Sequence, residues 1–480
     1  MSENIVSIFG GHDANITFYN STNNEYHIIE IERLTRERYF QLKKNTDHYI
    51  KEILEQCQIV ANKFWGFENN YDTLLIDPRW KQRGIPDTVR QVFNTKEIKS
   101  ISNHHDNHAY CAYYQSNYRE ALIVSYDGGG DDQFFNFYHA KDHDLNLIES
   151  LPYNLGRYYW KSASRIKDIV DNSKTRREYP GKMMGLSAYG KVNEHSNVGV
   201  DIAATVQKNF TNILLKNLDR HISNIPIILT GGCALNVLVN EKIKEKYNNP
   251  VFVPPNPNDG GLSLGHLFNY IKPKTQVNVT YSGIPLLDRD ELPDYIQRYN
   301  AEKVSKTQIA KKLKEGKIIG FVYGDSEVGP RALGNRSIVC DPTHPDMKDI
   351  LNSKVKFREW YRPFAPFCRK EVAHKYFETR DFENLECMSF APKVKIDDIP
   401  AVTHVDKTAR LQTVTETSHK HFYDVLVEFG KLSDTEVLLN TSFNVRGKPI
   451  LTRISDAIDI LNETELDYVI IEDYLFGCDK

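Results

Sequence analysis

The stretch ALIVSYDGGGDD, residues 121–132, is an apolar run that leads into a turn rich in aspartate and glycine. Such a run predicts a buried strand whose carboxyl end opens into a polar turn. Five further stretches share the pattern: IVSIFGGHD (5–13), IPIILTGGCALN (225–236), VFVPPNPNDGG (251–261), KIIGFVYGD (317–325) and EVLLNTSFN (436–444). Helical segments between them, such as 309–316, indicate an α/β protein with its chemistry in loops at the strand ends.

Composition limits the class of protein. The 480 residues are 40% hydrophobic and 26% charged, which predicts a globular protein of two or three domains. No apolar run is long enough to span a membrane, so we expect no membrane partner. The net charge of -3 excludes a strongly basic nucleic-acid binder by bulk charge. Proline and glycine at 270–293 predict a domain boundary between residues 270 and 305.

The cysteines and the N-terminus indicate the compartment. Seven cysteines without a CxxC pair argue against a disulfide framework or a cysteine-rich zinc site. The N-terminal residues lack the pattern of a secretion signal. We therefore expect a cytoplasmic protein, in a bacterium or in a phage-infected host cell.

The stretch SNHHDNHAY, residues 102–110, concentrates three histidines. If Asn103 caps a helix, His104 and His108 lie four residues apart on one face and can reach one metal, whereas His105 points elsewhere or supports the site. The alternative is a polar helix start that simply collects histidines. Asp127 and Asp259 each follow a strand at a glycine-flanked turn and could complete a mixed nitrogen and oxygen site. Such a site suits Fe, Mn or Zn.

Three glycine clusters follow predicted strands: GGHDAN (10–15), DGGGD (127–131) and GGCALN (231–236). Each is weak evidence alone, because glycine also fills ordinary tight turns. Their order, two phosphate turns and then an adenosine turn, resembles the actin-like ATPase fold, in which two RNase-H-like lobes close on a nucleotide. We therefore expect a nucleotide site between two lobes.

The second half of the chain is rich in cations set among apolar residues. The stretches are GDSEVGPRALGNRSIVCDP (324–342), NSKVKFREWYRPFAPF (352–367) and NTSFNVRGKP (440–449). Their polar residues include Arg331, Arg336, Lys354, Lys356, Arg358, Arg362, Ser442, Asn444 and Arg446. Arginine forks bind phosphate, and so many cations beside Gly, Pro, Phe and Trp indicate an anion site rather than a solvated face. The sequence predicts a pocket for ATP and a second anion.

These motifs together resemble the NodU/CmcH family of O-carbamoyltransferases, from about residue 5 to about residue 460. The resemblance rests on NHHDNHA, DGGGD, GKMMGLSAYG, GGCALNVLVN, NDGGLSLG, GPRALGNRSIVCDP, VKFREWYRPFAPF and LLNTSFNVRGKPI, in that order. It implies an actin-like, TsaD-like domain (ASKHA fold, a duplicated RNase-H-like unit) over 1–295 and a YrdC-like α/β domain over 305–480. The second domain would make carbamoyl-adenylate from carbamoyl phosphate and ATP. The first would transfer the carbamoyl group to an acceptor hydroxyl at a metal site.

The resemblance also assigns residues. It implies metal ligation by His104, His108, Asp127 and Asp259, with iron as the expected metal and Mg accompanying ATP. Catalytic residues would be His12, Asp13, Arg331, Lys356 and Arg358. Cofactor-binding residues would be Gly128, Gly129, Gly231, Gly232, Asn236, Arg336, Arg410, Ser442, Asn444 and Arg446. The general base is left open between His12 and one of the clustered histidines.

The acceptor has two candidate classes. Basic residues interleave with aromatic ones over 154–182, and further cations lie at 31–45 and 77–84. This pattern suits a polyanion with stacking bases, so one candidate is 5-hydroxymethylcytosine in DNA, and the other is a small molecule or sugar. A tRNA threonylcarbamoyl-type enzyme and a non-enzymatic actin-like regulator are the alternative functions. A homodimer is also left open.

Overall fold

A computed structural model describes residues 3–77, 85–130 and 133–477. Most of the predicted cationic stretch at 77–84, together with Asp131 and Asp132, lies outside the described residues. Within the described ranges, no helix is long and apolar enough to cross a membrane. The six cysteines of this part of the chain are free thiols.

The first lobe is a five-stranded sheet with helices. Its strands are β1 (Asn4–Phe9), β2 (Asn15–Asn20), β3 (Glu25–Glu30), β4 (Tyr71–Ile76) and β5 (Thr95–Ser100). Its helices are α1 (Ile31–Thr35), α2 (Asp47–Trp65), α3 (Ile85–Val92) and α4 (His104–Gln115). The sheet order is β3-β2-β1-β4-β5, antiparallel from β3 to β1 and parallel from β1 to β5.

The second lobe repeats this plan. Its strands are β6 (Glu120–Tyr126), β7 (Phe135–Lys141), β8 (Asp144–Leu151), β9 (Ile227–Thr230) and β10 (Val251–Phe252). Its helices are α5 (Leu155–Ala163), α6 (Lys167–Asp171), α7 (Tyr179–Leu186), α8 (Gly199–Leu218), α9 (Val237–Lys246) and α10 (Leu262–Ile271). The order β8-β7-β6-β9-β10 has the same antiparallel and parallel pairings as the first sheet. The predicted duplicated RNase-H-like, actin-like fold is therefore confirmed.

The third part is a mixed α/β unit on one large sheet. The sheet strands are β11 (Glu302–Lys303), β12 (Ile319–Val322), β13 (Arg336–Cys340), β14 (Ala365–Arg369), β17 (Gln412–Val414), β18 (Val437–Ser442), β19 (Tyr468–Ile471) and β20 (Tyr474–Phe476). Their order in the sheet is β11-β20-β19-β12-β13-β18-β14-β17. A separate pair is β15 (Phe377–Glu378) and β16 (Lys393–Val394). The helices are α11 (Leu292–Tyr299), α12 (Lys306–Lys314), α13 (Met347–Ile350), α14 (Ala373–Tyr376), α15 (Lys420–Gly430) and α16 (Ile454–Glu463).

The predicted boundary region, 270–305, begins at the end of α10 of the second lobe and includes α11 and β11 of the third part. Nothing in the fold tests it further, so it stays a prediction. Packing nevertheless joins the parts: one hydrophobic core runs from Leu229 of β9 to Ile338 of β13. A second core, which includes Ile5, Ile123 and Leu264, lies between the two lobes.

Strand burial explains how the lobes meet. The run Ile5–Phe9 in β1 is buried throughout, as is Ala121–Tyr126 in β6, and each run is apolar except for one serine, Ser7 or Ser125. Helices α4 and α10 pack against each other in the core between the two sheets. The carboxyl ends of β1 and β6 therefore open into the same cleft, next to the N-terminal turn of α4.

Candidate active site

Helix α4 presents two histidines to one point. It begins at His104, as the sequence predicts, and the Nε2 atoms of His104 and His108 lie 3.2 Å apart. Asn103 precedes the helix in the left-handed region, with φ 67°, and its side chain donates to Asp106 Oδ2 instead of capping the helix. His105 points away, toward Ser125 Oγ (2.8 Å) and the carbonyl of Gln133 (3.1 Å). The i, i+4 spacing thus puts both ring nitrogens on one face.

Two aspartates from the second lobe complete a four-residue group. His108 Nε2 lies 3.5 Å from Asp127 Oδ2 and 3.4 Å from Asp259 Oδ1. His104 Nε2 lies 3.6 Å from the same oxygen of Asp259. One potential ligand atom from each residue falls within 4.8 Å of all the others, and all four residues are buried. The structure therefore brings together the four predicted ligands.

Backbone turns fix the two carboxylates. Asp127 Oδ2 accepts the amide N–H of Gly232 at 2.7 Å, and Oδ1 accepts that of Gly128. Gly231 has φ 88°, and a Cβ there would lie 2.2 Å from Tyr126 O, so only glycine lets β9 turn this close to β6. Gly231 thus positions Gly232 without lining a cavity.

The electrostatics favour a positive charge at the centre of the group. Burial raises the pKa of Asp127, but His108 outweighs it and lowers the pKa to about 2. Burial likewise opposes ionisation of Asp259, yet His12 and His104 hold its pKa below the ordinary value. Burial lowers the pKa of His108, and the two carboxylates raise it to about 9. Both carboxylates are therefore ionised at neutral pH.

A divalent metal fits this group. Asp259 Oδ1 is buried and accepts no hydrogen bond from any described residue, although it faces the Nε2 atoms of both histidines. An unsatisfied buried carboxylate oxygen is unfavourable, and a bound cation would satisfy it. Two imidazoles and two carboxylates form a ligand set for Fe, Mn or Zn.

His12 and Asp13 lie at the mouth of this group. His12 Nδ1 is 3.0 Å from Asp13 Oδ2, and His12 Nε2 is 3.2 Å from Asp259 Oδ2. Burial lowers the pKa of His12, but Asp259 and Asp13 raise it above the ordinary value, against a small opposing effect of Arg177. The imidazole is about one third exposed, at 34%, so it is accessible to a ligand.

A single cavity of about 1080 Å³ joins this centre to the third part of the protein. The predicted site residues that line it are His12, Asp13, Asp127, Gly128, Gly129, Gly232, Asn236, Asp259, Arg331, Lys356, Arg358, Arg410, Ser442, Asn444 and Arg446. His104 and His108 lie buried behind Asp127 and Asp259. The predicted metal group and the predicted anion site therefore open into the same space.

The cationic side of the cavity is poor in counter-charges. Lys356 Nζ donates to the carbonyls of Ser442 and Asn444, both at 2.6 Å. Burial lowers the pKa of Lys356 well below its ordinary value, and nearby arginines add to the effect. Within the part of the chain that the structure describes, the guanidinium groups of Arg331 and Arg410 have no hydrogen-bond or ion-pair partner, and Arg410 Nε is fully buried. Such a cluster is favourable when it binds an anion.

The position of Arg336 contradicts the prediction that this residue binds the cofactor. Its guanidinium is fully buried outside the cavity and donates to the carbonyls of Tyr323 (3.0 Å), Asn335 (2.8 Å) and Gly324 (3.0 Å). These carbonyls occupy the donors that an anion would need, and we therefore assign Arg336 a structural role. No sequence pattern distinguishes it from Arg331, which lies five residues earlier in the same motif.

The basic and aromatic stretch 154–182 divides into two kinds of residue. Tyr159 and Tyr179 are buried core residues. Lys182, 2% exposed, pairs with Glu178 at 2.9 Å and Glu359 at 2.8 Å. Three further cations of the stretch line the cavity together with Lys182: Arg157, Arg176 and Arg177. The stretch is therefore partly core and partly cavity wall.

Two supporting residues were not identified from the sequence. Asn15 Nδ2 donates to Asp259 O at 2.9 Å; its position in GGHDAN, next to His12 and Asp13, was the available signal. Arg33 is buried and donates to the carbonyls of Glu327 (2.6 Å) and Gly329 (2.7 Å), which fixes the loop that carries Arg331. No sequence pattern relates residue 33 to that loop.

Comparison with known proteins identifies the family. Residues 310–477 match the family model described as Carbamoyltransferase C-terminus. Nodulation protein NolNO of Sinorhizobium fredii is 31% identical over 84% of this chain and 67% of that protein. The 3'-hydroxymethylcephem-O-carbamoyltransferase of Streptomyces clavuligerus is 27% identical over 98% of both chains. The crystal structure of T. kodakarensis HypF has a TM-score of 0.37 and 13% identity over 56% of this chain and 47% of that one. This likeness is too weak to support a functional assignment.

The NolNO alignment covers most of both chains, and the family-model match covers the cationic motifs of the third part. The resemblance that the sequence motifs indicated is therefore confirmed. This chain is an enzyme, a carbamoyltransferase, and it belongs to the NodU/CmcH family of O-carbamoyltransferases.

Proposed function

We propose that the protein is an ATP-dependent O-carbamoyltransferase that forms carbamoyl-adenylate and transfers its carbamoyl group to an acceptor hydroxyl. The observation that carries the proposal is the shared cavity, which has the unpaired cations of Arg331 and Arg410 on one side and the group of Asp127 and Asp259 on the other. Adenylate formation needs the cationic environment, and carbamoyl transfer needs the group of Asp127 and Asp259. An intermediate formed at the first can reach the second without leaving the cavity.

The chemistry balances in two stages. Water first breaks the bond between the carbamoyl oxygen and the phosphate of carbamoyl phosphate, which gives carbamate and phosphate. A carbamate oxygen then attacks the α-phosphorus of ATP, the α–β phosphoanhydride bond breaks, and carbamoyl-adenylate and pyrophosphate form. The acceptor oxygen then attacks the carbamoyl carbon, AMP leaves, and the hydroxyl proton passes to a base. AMP is a good leaving group, which makes the carbamoyl group reactive.

The cationic cluster suits the first stage. Charge develops on the phosphoryl and pyrophosphate oxygens, and fixed cations in a buried site stabilise it without rearrangement. Lys356 is held by Ser442 and Asn444, so its position is set before any ligand enters. Arg331, Arg358 and Arg410 supply forks for phosphate oxygens.

The His–Asp group suits the second stage. A divalent metal held by His104, His108, Asp127 and Asp259 would supply Lewis-acid polarisation of the carbamoyl carbonyl. His12 is our candidate for the base that takes the hydroxyl proton, because Asp13 orients its ring through Nδ1 and the ring lines the cavity. Its Nε2 faces Asp259, which would bind the metal and so release this nitrogen for the proton. The other histidines near the centre, His104 and His108, turn their Nε2 atoms toward each other.

The size of the cavity limits the acceptor. Small-molecule pockets have volumes of about 300–1,000 Å³, so a cavity of about 1080 Å³ can hold an adenylate beside a small acceptor group. A sugar hydroxyl fits this description, as does the hydroxymethyl group of a cytosine extruded from DNA. Both compounds are therefore candidate acceptors, whereas no observation favours a tRNA threonylcarbamoyl-type reaction.

The first stage can be tested without an acceptor. Purified protein is incubated with ATP, Mg²⁺ and ¹³C-labelled carbamoyl phosphate, and pyrophosphate release is measured while the labelled adenylate is identified by mass spectrometry. We expect pyrophosphate release only when carbamoyl phosphate is present. Release of ADP instead of pyrophosphate, or release that is independent of carbamoyl phosphate, would overturn the proposal.

A further inference from the structure

We propose that the cavity contains a second anion subsite, formed by Arg157, Arg176 and Arg177, which binds a phosphate or carboxylate carried by the acceptor. The inference rests on the proposed function and names the chemical class of its acceptor, a hydroxyl compound with an anionic group. This subsite is formed by the second lobe, whereas Arg331 and Arg410 belong to the third part of the protein.

Arg157 is fixed beside the His–Asp group. Asn154 caps α5 by accepting the amide of Arg157 at 2.7 Å, and its Nδ2 donates to Gly128 O at 3.0 Å. Gly156 packs so closely that a Cβ there would lie 2.6 Å from Gly128 Cα. Gly128 directly follows Asp127, so the first turn of α5 lies against the turn that carries this carboxylate.

A hydrogen bond links the segment that contains Arg176 and Arg177 to the same helix. Trp160, one turn after Arg157 on α5, donates its indole N–H to Arg176 O at 3.0 Å. The guanidinium of Arg176 lies 5.9 Å from the centre of the Trp160 ring. All three arginines line the cavity, and so does Trp160. The three cations therefore share one wall next to the proposed transfer centre.

These cations lack counter-charges. Among the described residues, no ion pair and no guanidinium hydrogen bond is found for Arg157, Arg176 or Arg177; the first two are exposed and Arg177 is half-buried. Lys182, in the same stretch, is different: it is buried and bonded to Glu178 and Glu359. All four cations line the cavity, but the buried Lys182 is neutralised by its two carboxylates, whereas the three arginines are available to a ligand.

The cavity offers cations to two anionic groups at once. Carbamoyl-adenylate carries a single phosphate, which the cations of the third part suit, so a second anionic group has a place at the second cluster. The second cluster, beside the proposed transfer centre, is where the acceptor must place its hydroxyl. Arginine forks bind phosphate and carboxylate with geometric selectivity, so an anionic group there would orient the acceptor for attack.

Titration with inorganic phosphate tests the subsite without turnover. Isothermal titration is run on the wild type, on Arg157→Gln/Arg177→Gln and on Arg331→Gln/Arg410→Gln, with Arg165→Gln as the matched control because Arg165 is an exposed cation of the same stretch. We expect two classes of site in the wild type and the control, and one class in each double variant. A wild-type titration curve from Arg157→Gln/Arg177→Gln, or no phosphate binding by any of the proteins, would overturn the proposal.

Pairs of acceptors with and without a phosphate group test whether the acceptor carries the bound anion. Carbamoylation of 5-hydroxymethyl-2′-deoxycytidine and of its 5′-monophosphate is compared by mass spectrometry, and the same comparison is made with glucose and glucose 6-phosphate. We expect the phosphorylated member to be favoured by about 10- to 100-fold in kcat/KM, and Arg157→Gln/Arg177→Gln to abolish that preference. An equal loss for both members would place these arginines at the intermediate and refute the assignment. Failure of the proposed function itself would appear separately, as wild-type protein without carbamoyl-phosphate-dependent pyrophosphate release.

Discussion

Replacing His108 by alanine should abolish carbamoyl transfer without abolishing adenylate formation. His108 is 1% exposed and contributes one of four converging ligand atoms, 3.4 Å from Asp259 Oδ1 and 3.5 Å from Asp127 Oδ2. Changing a group that only supports a metal ligand costs about 10- to 100-fold in metal affinity, so losing a ligand should cost at least about 100-fold, or about 2.7 kcal/mol. Carbamoyl transfer should be abolished. Pyrophosphate release should persist, because the cations of the third part are unchanged.

The assay combines three measurements. Metal content is determined by elemental mass spectrometry after dialysis, pyrophosphate release follows the first stage, and carbamoylated product follows the second. His105→Gln is the matched control, since His105 is buried on the same helix but faces Ser125 and Gln133. Retention of metal and transfer by His108→Ala would refute the ligand assignment, and an equal loss of both half-reactions would refute the division of labour.

Three further changes test other parts of the account. Arg331→Ala should lower carbamoyl-phosphate-dependent pyrophosphate release by about 10- to 100-fold while metal content stays constant, and normal release would remove Arg331 from the site. Gly156→Ala should lower the free energy of unfolding in urea by about 1–3 kcal/mol and reduce metal content, because its Cβ would meet Gly128 backbone at 2.6 Å; Gly181→Ala, with no atom within 4 Å of its Cβ, is the control and should change neither. Burial, partly offset by Lys244, raises the pKa of Glu241 from 4.5 to about 7. The folded state therefore holds this proton more tightly than the unfolded chain, and the corresponding stability is lost as pH rises through 7. Glu241→Gln should gain in urea midpoint over the wild type between about pH 5 and about pH 8, and a pH-independent difference would contradict the raised pKa.

Local patterns in the sequence predict much of the fold and of the metal group. Apolar runs that end in glycine or aspartate mark β1, β6 and β9, because buried strands must carry such runs and their ends must turn. The spacing of His104 and His108 predicts convergence, because a helix places residues four apart on one face. Asp127 and Asp259 were identified by their position at strand-end turns.

Long-range contacts could not be predicted in the same way. Arg331 and Arg336 stand in one motif with similar neighbours, yet the first lines the cavity and the second is buried under three carbonyls. The close contact of Gly156 with Gly128 and the bonds of Arg33 to residues 327 and 329 join segments far apart in the chain. Only the packed structure shows that the two predicted sites share one cavity.

The most direct test of the central claim is a product balance. Protein, ATP, Mg²⁺, iron and ¹³C-labelled carbamoyl phosphate are incubated with hydroxymethylated DNA or with a panel of hydroxyl-bearing small molecules, and the products are quantified by mass spectrometry. The account predicts a labelled carbamate ester on one acceptor, with AMP and pyrophosphate formed in equal amounts to it. AMP and pyrophosphate without any labelled ester, or a labelled ester formed without AMP, would contradict it.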